Sequence, residues 1–199
     1  MKTRWFFLNL VSLFVIAIFA HSAVAVDKTV FIWHFDEGSG NTAADADGKH
    51  VGDLVGNAKW TQDGKLGGAL KFDGSKGYVD IPSEEDLKIN EAITMAAWVK
   101  PNVVRDEKMT VMTKLSYYLQ VEKGLIATYF YGLKLEGYHF STLPVPAKEW
   151  TQIAVTYDGK AVKFYVNGEE DKDAEVPNSG TISQPDSRLR FGGEDHDSG

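Results

Sequence analysis

Apolar and polar residues alternate with a period of two through much of the chain. In ITMAAWVKP, Ile93, Met95, Ala97 and Val99 fall on one face and Ala96 and Trp98 on the other. Apolar residues on both faces predict a central strand covered on both sides. TQIAVTYDGKAVKFYVNG is the clearest hairpin, with Val162, Phe164 and Val166 alternating against Lys163 and Tyr165 between turns at Asp158-Gly159 and Asn167-Gly168. Asn and Gly both accept the positive φ that two-residue hairpin turns require. YYLQVEKGLIATYFYG reads as two strands around Glu122-Lys123-Gly124, and GALKFDG leads through an Asp73-Gly74 turn to the strand YVDIP. FIWHF, residues 31–35, reads as an aromatic strand closed by Asp36-Glu37-Gly38, followed by a long loop rich in Gly, Asp and Ala. SEEDLKIN predicts one helical turn, with Ser83 as its cap and Asp86 at the third helical position. Many short strands, Gly/Asp turns and almost no helix place the chain in the all-β class. The architecture expected is a two-sheet antiparallel β-sandwich or jelly roll, in which two stacked sheets bury the apolar face of every strand.

The first 25 residues stand apart from this pattern. Lys2 and Arg4 precede an apolar run of 16 residues, Trp5 to Ala20, and Ala23-Val24-Ala25 supplies a small-x-small cleavage pattern. The run is shorter than the roughly 18–20 residues needed to span a bilayer. Residues 1–25 are therefore read as a signal peptide and 26–199 as one exported domain, secreted, extracellular or at the cell surface, with the periplasm as the other exported compartment. Membrane contact is expected only through the signal peptide during export. Loss of Lys2 and Arg4 takes the formal net charge from −7 to −9. An acidic chain without a basic stripe argues against nucleic acid as a partner. The absence of cysteine excludes disulfides, thiol nucleophiles and thiolate zinc sites.

Three groups of residues carry candidate chemistry. Asp36, Asn41, Asp45, Asp47 and Asp53 cluster in the loop after FIWHF. Calcium takes six to eight oxygen ligands at roughly 2.3–2.6 Å, and such a loop can supply them; the same residues also suit Asx-turns. Asp36, Asn41 and Asp45 are the candidate metal ligands. The run Glu169-Glu170-Asp171-Lys172-Asp173-Ala174-Glu175 contains E-x-D-x-x-x-E. Retaining glycosidases need two carboxyls about 5–5.5 Å apart, one with a raised pKa. A strand charged on both faces cannot be central to a sheet, so this run is expected to be a solvated arm titrating as in water, and no catalytic residue is assigned. Aromatics concentrate at Tyr129, Phe130, Tyr131, Tyr138, His139, Phe140 and Trp150. Neighbours in a strand point to opposite faces, so these cannot all be core. An exposed Tyr can stack on a sugar ring. Tyr117, Tyr118, Gln120, Tyr131 and His139 are the expected ligand-facing residues, while Trp98 and Trp150 are expected in the core. The histidines at 34, 50, 139 and 196 show no metal-ligand spacing, and neither a G-x-S-x-G elbow nor a phosphate loop occurs.

Taken in order, IWHFDEGSGNTAADADGKHVGDL, KLGGALKFDGSKGYVDIP, ITMAAWVKP, WTQIAVTYDGKAVKFYVNG and RLRFGG resemble the successive signatures of the laminin-G-like, concanavalin A-like jelly-roll family of secreted bacterial proteins. The resemblance covers almost all of residues 30–193. It implies a structural calcium ion held partly by the aspartate of FDE, which is Asp36 here, and partly by an aspartate of a final strand of the type FxGxIDEVxIY. No such run follows Phe191, so that strand is expected to be missing, the 31–35 strand to present an open edge, and the isolated product to be marginal or oligomeric. The function implied is a secreted, non-catalytic binding or adhesion module for glycan or an extracellular or cell-surface protein. The alternatives are a glycoside hydrolase of the concanavalin A-like fold and a purely structural piece of a larger surface protein.

Overall fold

The computed structural model describes residues 31–193. The predicted signal peptide and the residues after Gly193 lie outside them. The first strands are β1 (Thr42–Ala44), β2 (Val51–Val55), β3 (Lys59–Thr61), β4 (Ala69–Lys71) and β5 (Tyr78–Ile81). After a 3₁₀ turn at Glu85–Leu87 come β6 (Ile93–Val99), β7 (Met109–Lys114), β8 (Tyr117–Glu122), β9 (Leu125–Phe130) and β10 (His139–Pro144). The chain continues through β11 (Thr151–Tyr157), β12 (Ala161–Val166) and β13 (Glu169–Glu170). A second 3₁₀ turn, Lys172–Ala174, leads to β14 (Val176–Pro177) and β15 (Leu189–Phe191). Among the described residues there is no α-helix, and none is long and apolar enough to cross a membrane.

All pairings are antiparallel. An eight-stranded sheet runs β1-β2-β5-β15-β7-β8-β9-β10, a five-stranded sheet runs β13-β12-β11-β6 with β14 also on β12, and β3-β4 form a ribbon. The two large sheets bury their apolar faces on each other. Leu119 and Ile126 of the larger meet Ile153, Val155, Val162 and Phe164 of the smaller, all fully buried. Each such side chain contributes roughly 1.5–3 kcal/mol relative to exposure. A second cluster gathers Ala43, Val79, Ile81, Leu87, Leu189 and Phe191. The hairpin turns follow the sequence: Lys123 and Gly124 have φ of 54° and 75°, and Asn167 and Gly168 of 50° and 82°, the positive values that a right-twisted hairpin demands.

Four expectations are corrected. Among the described residues β6 pairs only with β11 and lies at a sheet edge. Its Ile93 and Met95 are buried, but Thr94, Ala96 and Trp98 face outward, so burial is one-sided. Trp98 is 39% exposed and lies under the Lys65 ammonium at 4.8 Å, not in the core. Trp150 is half-buried beside Lys100, whose ammonium is 5.2 Å from its ring. Residues 31–35 alternate in burial, with Phe31, Trp33 and Phe35 packed on the second cluster, yet they join no ladder; Phe35 has φ 58°, which breaks the extended course. Ser83 caps nothing, because its hydroxyl donates to Asp186 and the residue preceding the 3₁₀ turn is Glu84.

Candidate functional site on the outer face of the larger sheet

Residues directly opposite one another in antiparallel strands share a face. Thr42 faces Asp53, Asp53 faces Asp80, Asp80 faces Arg190, Arg190 faces Thr113, Thr113 faces Tyr118 and Tyr118 faces Tyr129. Their strand neighbours Ala43, Val79, Ile81, Leu189, Phe191, Leu119 and Phe130 are core residues, so alternation turns this row to the outer face.

The row is polar at one end and aromatic at the other. Asp80 lies 2.9 Å from Arg190 Nε and 2.7 Å from Arg188 Nε. Burial pushes the Asp80 carboxyl up, but the two guanidinium groups outweigh it and hold the carboxyl below its ordinary value. At the other end the rings of Tyr129 and Tyr131 meet at 4.4 Å, Tyr129 and Tyr138 at 5.3 Å, and Tyr118 stands edge-on to Tyr129 at 6.5 Å. The Lys108 ammonium lies 3.8 Å from the centre of the Tyr138 ring. Burial, then the Glu136 charge, pushes the Tyr129 phenol up, so it stays a neutral donor at physiological pH.

Beside Tyr131 the aromatic face runs into a groove of about 370 Å³ lined by Leu115, Tyr131, Ser183 and Pro185. Loop contacts hold its walls: the Tyr131 N–H donates to Ser116 O at 2.9 Å, and the Ser183 N–H donates to Tyr131 O at 2.8 Å. Gly132 has φ 92°, and a Cβ there would fall 2.5 Å from Thr181 O, so only glycine lets the two loops close up.

Of the expected ligand-facing residues, the structure brings Tyr118 and Tyr131 together, with ring centroids 6.3 Å apart. Tyr117 is a correction. It is adjacent to Tyr118 and so points inward, 3% exposed, with burial pushing its phenol up. Gln120 lies on the correct face but is fully buried, its amide donating to Thr110 Oγ1 at 3.1 Å. His139 faces Thr128, on the inner side, and is half-buried. Sequence reasoning missed Tyr129 and Tyr138. For Tyr129 the signal was parity, since with Phe130 in the core its neighbours Tyr129 and Tyr131 face outward; Tyr138, just before β10, carried no such signal.

The expected metal ligands Asp36, Asn41 and Asp45 each make contacts within the fold. Asp36 Oδ1 accepts the Gly68 N–H at 2.6 Å, the Asn41 carbonyl accepts the Leu54 N–H at 2.7 Å, and Asp45 turns elsewhere. Asp45 Oδ1 accepts the N–H groups of Lys49 and His50 at 2.8 and 3.0 Å, and its Oδ2 lies 2.9 Å from His50 Nδ1. The Asp45 contacts are local side-chain-to-backbone loop bonds, whereas Asp36 ties its loop to the distant Gly68. His50, which showed no metal spacing in the sequence, is 1% exposed, and its Nε2 lies 3.0 Å from Asp86 Oδ1 and 3.5 Å from Glu84 Oε2. Burial alone would lower the His50 pKa, but Asp45 and Asp86 outweigh it and leave it raised.

The acidic run after Asn167-Gly168 divides. Glu170 and Glu175 pair with Lys163 at 3.3 and 3.5 Å, as a solvated arm does. Asp171 is buried instead and does not titrate as in water. Burial pushes its carboxyl up, but bonds from Leu143 and Thr142 outweigh that and hold it below its ordinary value.

Residues 73–199 match the sequence model of the concanavalin A-like lectin/glucanases superfamily. No protein of curated function matches the chain by sequence. The fold is similar to domain 4 of AbnA, a GH43 extracellular arabinanase from Geobacillus stearothermophilus, solved in complex with arabinotriose, at TM-score 0.60 and 17% identity over 82% of this chain and 84% of that one. It is also similar to the binding domain of botulinum neurotoxin serotype G, at TM-score 0.59 and 13% identity over 75% of this chain but 40% of that one. At these identities the likeness is one of fold.

Proposed function

We propose that this chain, which belongs to the concanavalin A-like lectin/glucanases superfamily, is a non-catalytic module that binds carbohydrate on the face formed by Tyr118, Tyr129, Tyr131 and Tyr138. The observation that carries the reading is the meeting of these rings on the outer face of a rigid sheet, with Tyr131 41% exposed at the mouth of the adjoining groove. A sugar ring offers an apolar C–H face to an aromatic ring and hydroxyls to the polar rim. Phenol hydroxyls, Ser183 and the loop backbone supply such a rim here. The arabinotriose complex of the AbnA domain supports a sugar as partner for a sandwich of this shape. The non-catalytic part of the reading rests on Asp80, the carboxylate of the row nearest its centre. Two guanidinium groups hold it ionised, whereas glycoside hydrolysis needs a carboxyl of raised pKa near a second one. The expected working compartment is outside the cell or at its surface, in line with the export reading of residues 1–25.

Binding is tested by affinity electrophoresis against a panel of polysaccharides including arabinan, with reducing-end release followed in parallel. At least one polysaccharide retards the protein without being shortened. Tyr131→Ala weakens that binding roughly tenfold, the scale of one lost aromatic stack, and leaves the melting temperature nearly unchanged. Retardation by none of them, or retardation indifferent to both Tyr131→Ala and Tyr138→Ala, refutes the proposal. Release of reducing ends refutes its non-catalytic part.

A further inference from the structure

A second site lies on the other half of the molecule, where the β1–β2 loop meets the 3₁₀ turn after β5. His50 there has a carboxylate against each ring nitrogen: Asp45 at 2.9 Å from Nδ1, and Asp86 and Glu84 at 3.0 and 3.5 Å from Nε2. A neutral imidazole carries one N–H. With that proton on Nδ1 toward Asp45, the Nε2 lone pair of the neutral ring points at two carboxylate oxygens, and the contact is favourable only when Nε2 takes up a proton or a metal cation in its place.

We infer that His50 Nε2 and the carboxylates of Glu84 and Asp86 form a binding site for a divalent transition-metal ion of the zinc class, with Asp45 orienting the imidazole from behind. The three donor atoms lie within 4.8 Å of one another. Ligands at 2.0–2.2 Å on a tetrahedral ion stand roughly 3.3–3.6 Å apart; Glu84 Oε2 already stands at that distance from Nε2, and Asp86 Oδ1, at 3.0 Å, draws back slightly to admit the ion. An aspartate on the far nitrogen fixes the tautomer and raises the basicity of the metal-facing one, as in carboxylate–histidine–zinc arrangements. The Phe31 ring stands edge-on to His50 at 4.8 Å and keeps water from the imidazole flank. The side chains of Glu84 and Asp86 are 35% and 31% exposed, which leaves an entry path and room for water as the remaining ligand. A nitrogen donor and a set of only three side chains disfavour calcium. Lys49 Nζ lies against Asp86 Oδ2, and the ion must displace it.

The test titrates the purified, chelator-stripped protein with Zn²⁺ by calorimetry and with Co²⁺ by visible absorption. One ion binds per chain, and Co²⁺ gives the bands of a low-coordinate nitrogen–oxygen site. Glu84→Gln and Asp45→Asn each weaken binding about tenfold or more, while Lys49→Met, which removes the competing ammonium, tightens it. Glu84 is partly exposed, so its variant keeps the fold and remains readable if His50→Gln does not. Failure to take up either ion, or uptake unchanged in Glu84→Gln and Lys49→Met alike, overturns the inference.

Discussion

Replacing Asp171 by alanine removes a clasp between the two sheets. Asp171 follows β13 of the smaller sheet and is 3% exposed. Its Oδ2 accepts the N–H groups of Thr142 and Leu143 at 2.5 and 2.8 Å, and its Oδ1 accepts the Thr142 hydroxyl at 2.7 Å. Thr142 and Leu143 belong to β10, the outermost strand of the larger sheet. Alanine leaves three donors without an acceptor, and each such group costs about 1–3 kcal/mol when it stays dry. Because β10 is an edge strand with Thr142 exposed, water recovers part of this, and the expected loss is roughly 2–4 kcal/mol. For a chain of this size that lowers the melting temperature by roughly 5–15 °C. The pH dependence has a definite sign. The folded pKa lies below the unfolded value of about 3.9, so the ionised form stabilises the fold above that pH, and the contribution fades as pH falls toward the folded pKa. Urea melts of wild type and Asp171→Ala should therefore differ most near neutrality and converge below about pH 4. A loss under about 0.5 kcal/mol, the scale of an ordinary surface change, or a gap unchanged between about pH 7 and 3, refutes the clasp.

Three further outcomes follow from the packing. Gly52→Ala puts a Cβ 2.6 Å from side-chain carbons of both Val79 and Ile81, and calorimetry should show a loss of about 1–3 kcal/mol from overpacking. Arg190→Met removes a 4%-exposed guanidinium from Asp80 and leaves Arg188 as its remaining ion pair. The expected loss is roughly 2–3 kcal/mol, below that of an ion pair broken outright, and the Asp80 carboxyl should titrate at higher pH by NMR. Tyr117→Phe removes a hydroxyl that lies 3.5 Å from the Leu87 carbonyl; stability should fall by under about 1 kcal/mol and glycan retardation should not change, whereas Tyr118→Ala should weaken it.

The elements legible from sequence are those whose cause is local. Asp158-Gly159 and Asn167-Gly168 demand turns through backbone sterics alone, and the strands on either side pair in the register those turns set, Ile153 with Val166 through Tyr157 with Val162. Strand β6 shows where this ends. Apolar residues on both of its faces suggest two covers, but whether a second cover exists is decided by segments far away in the chain. Trp98 meets Lys65 from another loop instead of a second layer. FIWHF carries the alternation of a strand, and its burial keeps that alternation, yet a ladder needs a partner backbone that alternation cannot supply.

The same division governs the sites. Tyr118 and Tyr131 were reachable because parity along a strand is local, and parity also forbids Tyr117 from sharing the face of Tyr118. Gln120 obeys parity, but its burial beside Thr110 depends on a neighbouring strand. His50 was out of reach for a stronger reason: its Nε2 partner, Asp86, lies 36 residues away, so no spacing within one element can announce the set. Asp45 was legible as an acidic loop residue, but its task is to hold two N–H groups and aim an imidazole, which is visible only once the loop has closed. Asp171 makes the point within a single run. It has the same chemistry as Glu170 beside it, but the 3₁₀ turn at Lys172–Ala174 and the β10 edge bring three donors to its carboxylate and none of them to Glu170. Composition sets what a carboxylate can do. Which donors the opposite strand presents determines what it does.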